Sequence, residues 1–262
     1  MNATAEGRDR SDDHNRPRVR EPLLVRNTRR VVLKGLSPEE RTALCDTTYA
    51  LYAAYKKGLD RAAFERTFFA NDEGTVGLFR AADGTVRGFA RLAITRVTHE
   101  SLTYAVFSGQ VYIDTRYQGT RAVATHAFSE AVRFKLREPL TPLAYLGVSL
   151  PASYRLLARV MPVFYPSRHG PTPPRVTGLI LACARARGLV IVDEARLLVR
   201  GISAPLDPER ARNARSVAQD PDVRFYLETN PGFTDGTSLL LFVPMYLWNC
   251  IGGFMRHMLR VR

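Results

Sequence analysis

Cysteine is scarce in this sequence. The three among its 262 residues, Cys45, Cys183 and Cys250, stand alone, with no CxxC pair and no regular spacing. That excludes a zinc ribbon and a disulfide framework, gives no metal site to expect, and makes a reducing cytoplasm the simpler setting. Acidic residues are also few: 25 Asp and Glu against 38 Lys and Arg give a net charge of +13 and a pI near 10.1. Such a balance suits an acidic partner, whether nucleic acid, an anionic lipid surface, a coenzyme phosphate or an acidic carrier protein. Nucleic acid is the weakest of these, because no recognised motif or aromatic platform accompanies the charge. Residues 1–28 lack the apolar core of a secretory signal and read as a disordered, Arg-rich leader, leaving 29–262 as a single domain. No internal repeat is visible.

The remaining chain is rich in start and stop signals. After the short strand "RRVVLKGL", Ser37, Pro38 and Glu40 form a capping-box start for a helix that ends at Gly58, and Asp60 caps a second helix in "DRAAFERTFFAN". Three strand-like runs follow, "GTVGLFRA", "TVRGFARLAITRVT" and "LTYAVFSGQVYID", which pattern as an antiparallel meander. A helix from about Gln118 to Lys135, the strand "LAYLGVSL" and a helix entered through Pro151 come next. The prolines of "PVFYPSRHGPTPPR" mark a surface loop leading into an insertion at about 170–220: a helix, a short strand, and a polar helix near Asp207-Pro208. The end reads as a hairpin turning at "NPGFTDG", then an aromatic-rich tail. Residues 237–255 carry no charge and precede the basic "RHMLRVR". Three readings of that run stand: a membrane anchor, a peripheral interfacial tail, and a buried strand with a packing helix, which Pro244, Asn249 and Gly252-Gly253 favour over the anchor.

Where the meander meets its helix, the turn "TRYQGTRA" sets Arg116 and Arg121 around a helix N-terminus, a place that holds anions through free N–H groups and the helix dipole. This stretch and the order of elements resemble the Gcn5-related N-acetyltransferase (GNAT) family over residues 30–165 and the final hairpin. The resemblance implies an α/β (α+β) fold: a mixed, mostly antiparallel sheet of about six or seven strands with flanking helices, in which the strands holding Val111 and Gly147 are parallel neighbours that splay apart. It also implies a donor, acyl-CoA or acyl-phosphopantetheine on an acidic acyl-carrier protein, and an amine acceptor. "VYIDTRYQGTRAV" matches the family's loop in spacing. Val111, Tyr112 and Ile113 are similar to the strand end that pairs with the pantetheine arm, and the stretch Arg116, Gln118, Gly119, Thr120, Arg121, Ala122 and Val123 would meet the phosphates. Arg121 and Val123 replace glycines usual in the family, which suits a carrier-borne arm.

Aminolysis of a thioester needs a neutral amine, a polarised carbonyl and a proton for the thiolate. By the resemblance Tyr154 is the proton donor, with Tyr165 second. His99 and Glu100 in the hairpin are candidates for the base, with Asp114 behind them; His126 falls inside a helix, and His169 lies in the loop that would line the acceptor site. Two functions follow: an N-acyltransferase, with fatty acyl chains suggested by the apolar tail, or a non-catalytic module of the same fold that binds an acidic carrier or a membrane, to which the tail would add peripheral contact.

Overall fold

The structure is a computed structural model that describes residues 25, 27–55, 58–69, 73–117, 121–201 and 218–260. Its frame is a mixed α/β sheet of eight strands in the order β1-β2-β3-β4-β5-β8-β7-β6. The strands are β1 Asn27–Val32, β2 Gly74–Arg80, β3 Val86–His99, β4 Leu102–Ile113, β5 Leu143–Ser149, β6 Ile191–Asp193, β7 Leu198–Arg200 and β8 Thr237–Pro244. All pairings are antiparallel except β4 with β5. The expected three-strand meander is present as β2-β3-β4, and the sheet has one or two strands more than anticipated.

Helices α1 (Pro38–Tyr55) and α2 (Arg61–Phe68) begin where the sequence signals place them. The Ser37 hydroxyl accepts the Glu40 N–H at 3.2 Å while the Glu40 carboxylate accepts the Ser37 N–H at 2.9 Å, and Asp60 accepts the Ala63 N–H at 2.7 Å. Both helices cover one face of the sheet, where Phe64 and Phe68 stack at 4.3 Å and meet Phe89 and Tyr112. The other face of β1 and β2 belongs to α3 (Ala122–Arg137), clamped there by an ionic cluster. Arg30 of β1 donates to both oxygens of buried Glu130, at 2.6 and 3.0 Å, and the Thr75 hydroxyl and Arg133 complete the set. One turn earlier His126 is buried over Gly77, close enough that a Cβ there would meet its ring at 2.8 Å.

Burial holds the His126 imidazole below the usual histidine range, against the opposing pull of Glu130. A group depressed in the fold takes up protons more readily once unfolded, so its contribution is complete above the unfolded value, about 6.5, and is lost as pH falls below it. Thermal midpoints measured across that window should fall with acidification, and His126→Phe should flatten part of the slope.

The second half corrects the sequence reading in several places. The helix expected from Gln118 starts at Ala122, and Gln118, Gly119 and Thr120 lie outside the described residues. After α4 (Pro151–Val160) and α5 (Pro174–Ala186) come two short strands, not one; β6 and β7 pair with each other, and β7 adds to β8. The polar helix expected near Asp207 also lies outside the described residues. The final hairpin does not exist: its first half is helix α6 (Pro221–Thr229). Asp220 accepts the N–H groups of Asp222 and Val223, Pro221 takes the first helical position, and Arg155 of α4 donates to the Asp220 carboxylate at 2.8 Å. β8 instead pairs with β5 and is buried almost throughout. The tail ends in helix α7 (Leu247–Arg260). Among the described residues no helix is long and apolar enough to cross a membrane.

Candidate functional site

Strands β4 and β5 are joined only over Ala105–Phe107 and Leu143–Tyr145; beyond that the ladder stops and the strands part, as the resemblance implies. Strand alternation says which backbone groups face the gap. Ala105 donates its N–H across to Pro142 at 2.9 Å, so odd residues of β4, including Gly109, Val111 and Ile113, turn their backbone polar groups toward β5. On β8, Phe242 exchanges both of its backbone hydrogen bonds with Tyr165, at 2.7 and 2.8 Å, and therefore turns them away from β5. Leu146, opposite Phe242 in the register, accordingly points its own groups into the gap, and so does Val148. Two strand edges thus face each other across an opening that widens toward α3.

Into this opening reaches a residue that sequence reasoning did not single out. Arg187 donates from Nη1 to the Leu146 carbonyl at 2.9 Å. It is placed there by the end of α5: Gly188 adopts φ +65°, Leu189 donates back to the Ala184 carbonyl at 3.0 Å, and this reversal leaves Arg187 as the last residue of the turn. Burial pulls the guanidinium below the usual arginine range, and no ion pair offsets that among the described residues. Its neighbours cannot supply a charge. Burial raises the Tyr145 phenol and pushes the Cys183 thiol up to about 12, so both stay protonated. The Tyr145 ring lies over Gly147, where a Cβ would meet it at 2.9 Å, and it reaches toward Gly109 on the other strand. The opening therefore has a cationic floor and an aromatic wall.

The turn above it is only partly as expected. Val111 is exposed, Tyr112 packs its ring among Tyr52, Phe68 and Phe89, and Ile113 pairs with Gly88. Arg116 is folded back onto buried Asp114, donating from Nη2 at 2.7 Å, so its charge is already engaged and Asp114 serves as its anchor. Arg121 caps α3 without a side-chain bond to the helix and donates from Nη2 to the Met258 carbonyl of α7 at 3.4 Å. Ala122 and Val123 form the first turn of α3.

The four expected catalytic side chains do not converge. His99 and Glu100 are at the β3–β4 turn, the opposite end of the 12-residue β4, roughly 35 Å along the strand from the Ile113 end. Glu100 is exposed and paired with Arg175 at 2.6 Å. Tyr154 is fully buried against Phe164, Phe225 and Tyr226, with its hydroxyl donating to the Pro166 carbonyl at 3.0 Å and burial raising its phenol well above the usual range. The first turn of α4 points it into the core, not across the opening. Tyr154→Phe should leave turnover unchanged and cost about 1 kcal/mol of stability through the unsatisfied Pro166 carbonyl; a chemical denaturation curve checks the second and initial rates the first. Tyr165 shares a cleft of about 330 Å³ with His169 and Arg256. Its backbone is level with Leu146 but two strand spacings away, about 10 Å, on the far side of β8.

No protein-family model and no curated protein matches the chain. Among solved structures, it is similar to a conserved protein from Enterococcus faecalis V583 described as a probable N-acyltransferase, with 13% identity and a TM-score of 0.34 over 52% of this chain and 33% of that one. It is also similar to a GNAT-family acetyltransferase from Listeria monocytogenes 4b F2365 (12% identity, TM-score 0.34, 55% and 90% of the two chains) and to Escherichia coli ElaA (15%, 0.34, 54% and 92%). The chain spans about a third of the Enterococcus protein. These likenesses cover about half of this chain and assign it neither family nor activity.

Proposed function

We propose that the chain is an N-acyltransferase that moves an acyl group from a pantetheine thioester, borne by coenzyme A or by an acidic acyl-carrier protein, to an amine. The observation that carries this reading is the β4–β5 opening with Arg187 in it. An extended amide-bearing arm entering beside α3 would add between the two strand edges and bond the backbone of Gly109, Val111 and Val148. Its phosphate would meet the first turn of α3, with Arg121 beside it. Its thioester carbonyl would arrive near the guanidinium, where charge that develops on oxygen would be stabilised. The amine attacks the carbonyl carbon, the oxyanion collapses, the C–S bond breaks, and the ammonium proton passes through water to the departing thiolate. Tyr154, His99 and Glu100 take no part.

A fatty acyl donor loses the support that the apolar tail gave it. The β8 residues Leu239 to Val243 are core, and Leu247, Trp248, Ile251, Met255 and Leu259 of α7 face outward, so neither set lines an acyl tunnel. One observation favours the alternative, a non-catalytic module that binds an acidic carrier or a membrane: the Tyr145 ring already occupies part of the opening. Release of free thiol from a panel of acyl-CoA and acyl-carrier donors, with amine acceptors followed by mass, separates the two. Thiol release that depends on the amine supports transfer. Carrier binding with no release from any donor supports the module.

A further inference from the structure

Helix α7 is built inside out. The side it turns to the protein carries its small and polar residues. Asn249 is fully buried, accepts the Val163 N–H at 2.9 Å and donates to the carbonyls of Val163 and Pro244 at 2.9 and 2.7 Å. Gly252 and Gly253 let the helix close on Pro162 and Met161, where a Cβ at Gly253 would meet the Met161 sulfur at 2.6 Å. Phe254 is the large exception, stacked on Phe128 of α3 at 4.5 Å. The outward side carries Leu247, Trp248, Ile251, Met255 and Leu259, from 46% exposed at Ile251 to 66% at Leu247. Four of these recur at i, i+4 and form one ridge, with Trp248 and Tyr246 stacked at its start. A water-facing helix normally has the opposite arrangement.

We infer that this ridge docks on an anionic lipid bilayer, with α7 lying in the plane of the interface. The helix has 14 residues, about 21 Å, too short to span the roughly 30 Å of hydrocarbon. The ridge is convex and aliphatic along its middle, which fits a fluid lipid surface better than an acidic protein, whose recognition would need cations in the centre of the face. Aromatic side chains stand at one end, as they do at membrane interfaces. Charge complementarity is one-sided: from Ser238 to the C-terminus there is no Asp or Glu, while Arg256, Arg260 and Arg262 fall in that stretch and the chain carries +13. Because Arg121 ties the end of α7 to the start of α3, a bilayer under the ridge would lie beside the mouth of the β4–β5 opening. The inference goes beyond acyl transfer and does not depend on it.

Trp248 is the sole tryptophan, so the unmodified protein reports on its own ridge. Adding mixed phosphatidylcholine and phosphatidylglycerol vesicles should shift its emission to the blue and carry the protein into the vesicle pellet. Pure phosphatidylcholine should do so less, and raised salt should reverse much of the effect. The double variant Ile251→Glu, Met255→Glu alters only exposed positions, so it should keep the parent thermal transition while partitioning falls roughly 100-fold. Emission and sedimentation unchanged by both kinds of vesicle would overturn the proposal. So would a concentration-dependent dimer that the double variant dissociates in the absence of vesicle binding, which would make the ridge a contact between two copies.

Discussion

Arg187→Met should abolish most acyl transfer and leave the protein about as stable as before. The two halves of that result have one cause. The guanidinium is partly buried at the Leu146 carbonyl, with Tyr145 and Cys183 protonated beside it and no ion pair among the described residues. An uncompensated buried cation destabilises a fold, and replacing it with an apolar chain of similar length removes that penalty. The loss of one bond to the Leu146 carbonyl opposes this by about 1 kcal/mol, so the melting temperature should stay within a few degrees of the parent. Function moves differently. If the cation meets the thioester oxygen, its removal takes away stabilisation that is greatest in the transition state, and turnover should drop roughly 10²- to 10³-fold, the loss seen when one oxyanion donor is deleted. Arg187→Lys keeps the charge but not the planar fork, and should recover part of the rate. Full turnover in the Met variant would remove Arg187 from the reaction. A large fall in stability would make it a structural residue.

Glu130→Ala should be the most damaging single change to the fold among the side chains that position the opening. Glu130 is buried, and burial alone would raise its carboxyl; the bonds and charge of Arg30, with His126 and Thr75, outweigh that and hold it below the usual range. Its contribution is therefore present above the ordinary glutamate value near 4.3 and is lost as pH falls through the depressed one. Truncation leaves Arg30 of β1 and Arg133 without their shared partner and opens a hole between α3 and β2. Breaking a buried pair costs 3–5 kcal/mol as a rule; since Arg30 is partly open to water, about 3 kcal/mol is the reasonable figure, a fall in melting temperature of roughly 6–10 °C. A calorimetric scan at neutral pH reads this directly. A change below 1 kcal/mol would mean that α3 is held by its apolar contacts alone, through Phe134 and Ala131.

How much of this was legible depends on whether the signal is local. Ser37-Pro38-Glu40 and Asp60 fix helix starts within a few residues, and the strand-like runs of β2 to β4 with their short turns declare an antiparallel meander, so both were readable. The family resemblance also implied the single parallel pair and its opening. Residues 223–227, "VRFYL", alternate well enough to pass for a strand; the Asp220-Pro221 start signal outweighed that pattern, and Tyr226 is buried with its hydroxyl donating to the Ser149 carbonyl at 2.8 Å. Arg187 was not readable at all. In "ARARG" it looks like any basic residue closing a helix, and its position in the opening follows from the reversal at Gly188 and from Phe242 bonding Tyr165, contacts far apart in sequence. The orientation of Tyr154 was hidden for a related reason: the face of α4 that it occupies is set by Phe164 and by α6, contacts that no local pattern declares.

The central claim is that the gap between β4 and β5 receives the donor arm, and amide hydrogen exchange tests it most directly. Leu146 and Val148 turn their N–H groups into that gap, while Gly147 between them faces β8. With saturating acetyl-coenzyme A, exchange at Val148, and at Gly109 and Val111 across the gap, should slow markedly while Gly147 stays as it was. Unchanged exchange at all of these positions under conditions where thiol is being released would place the donor elsewhere on the protein.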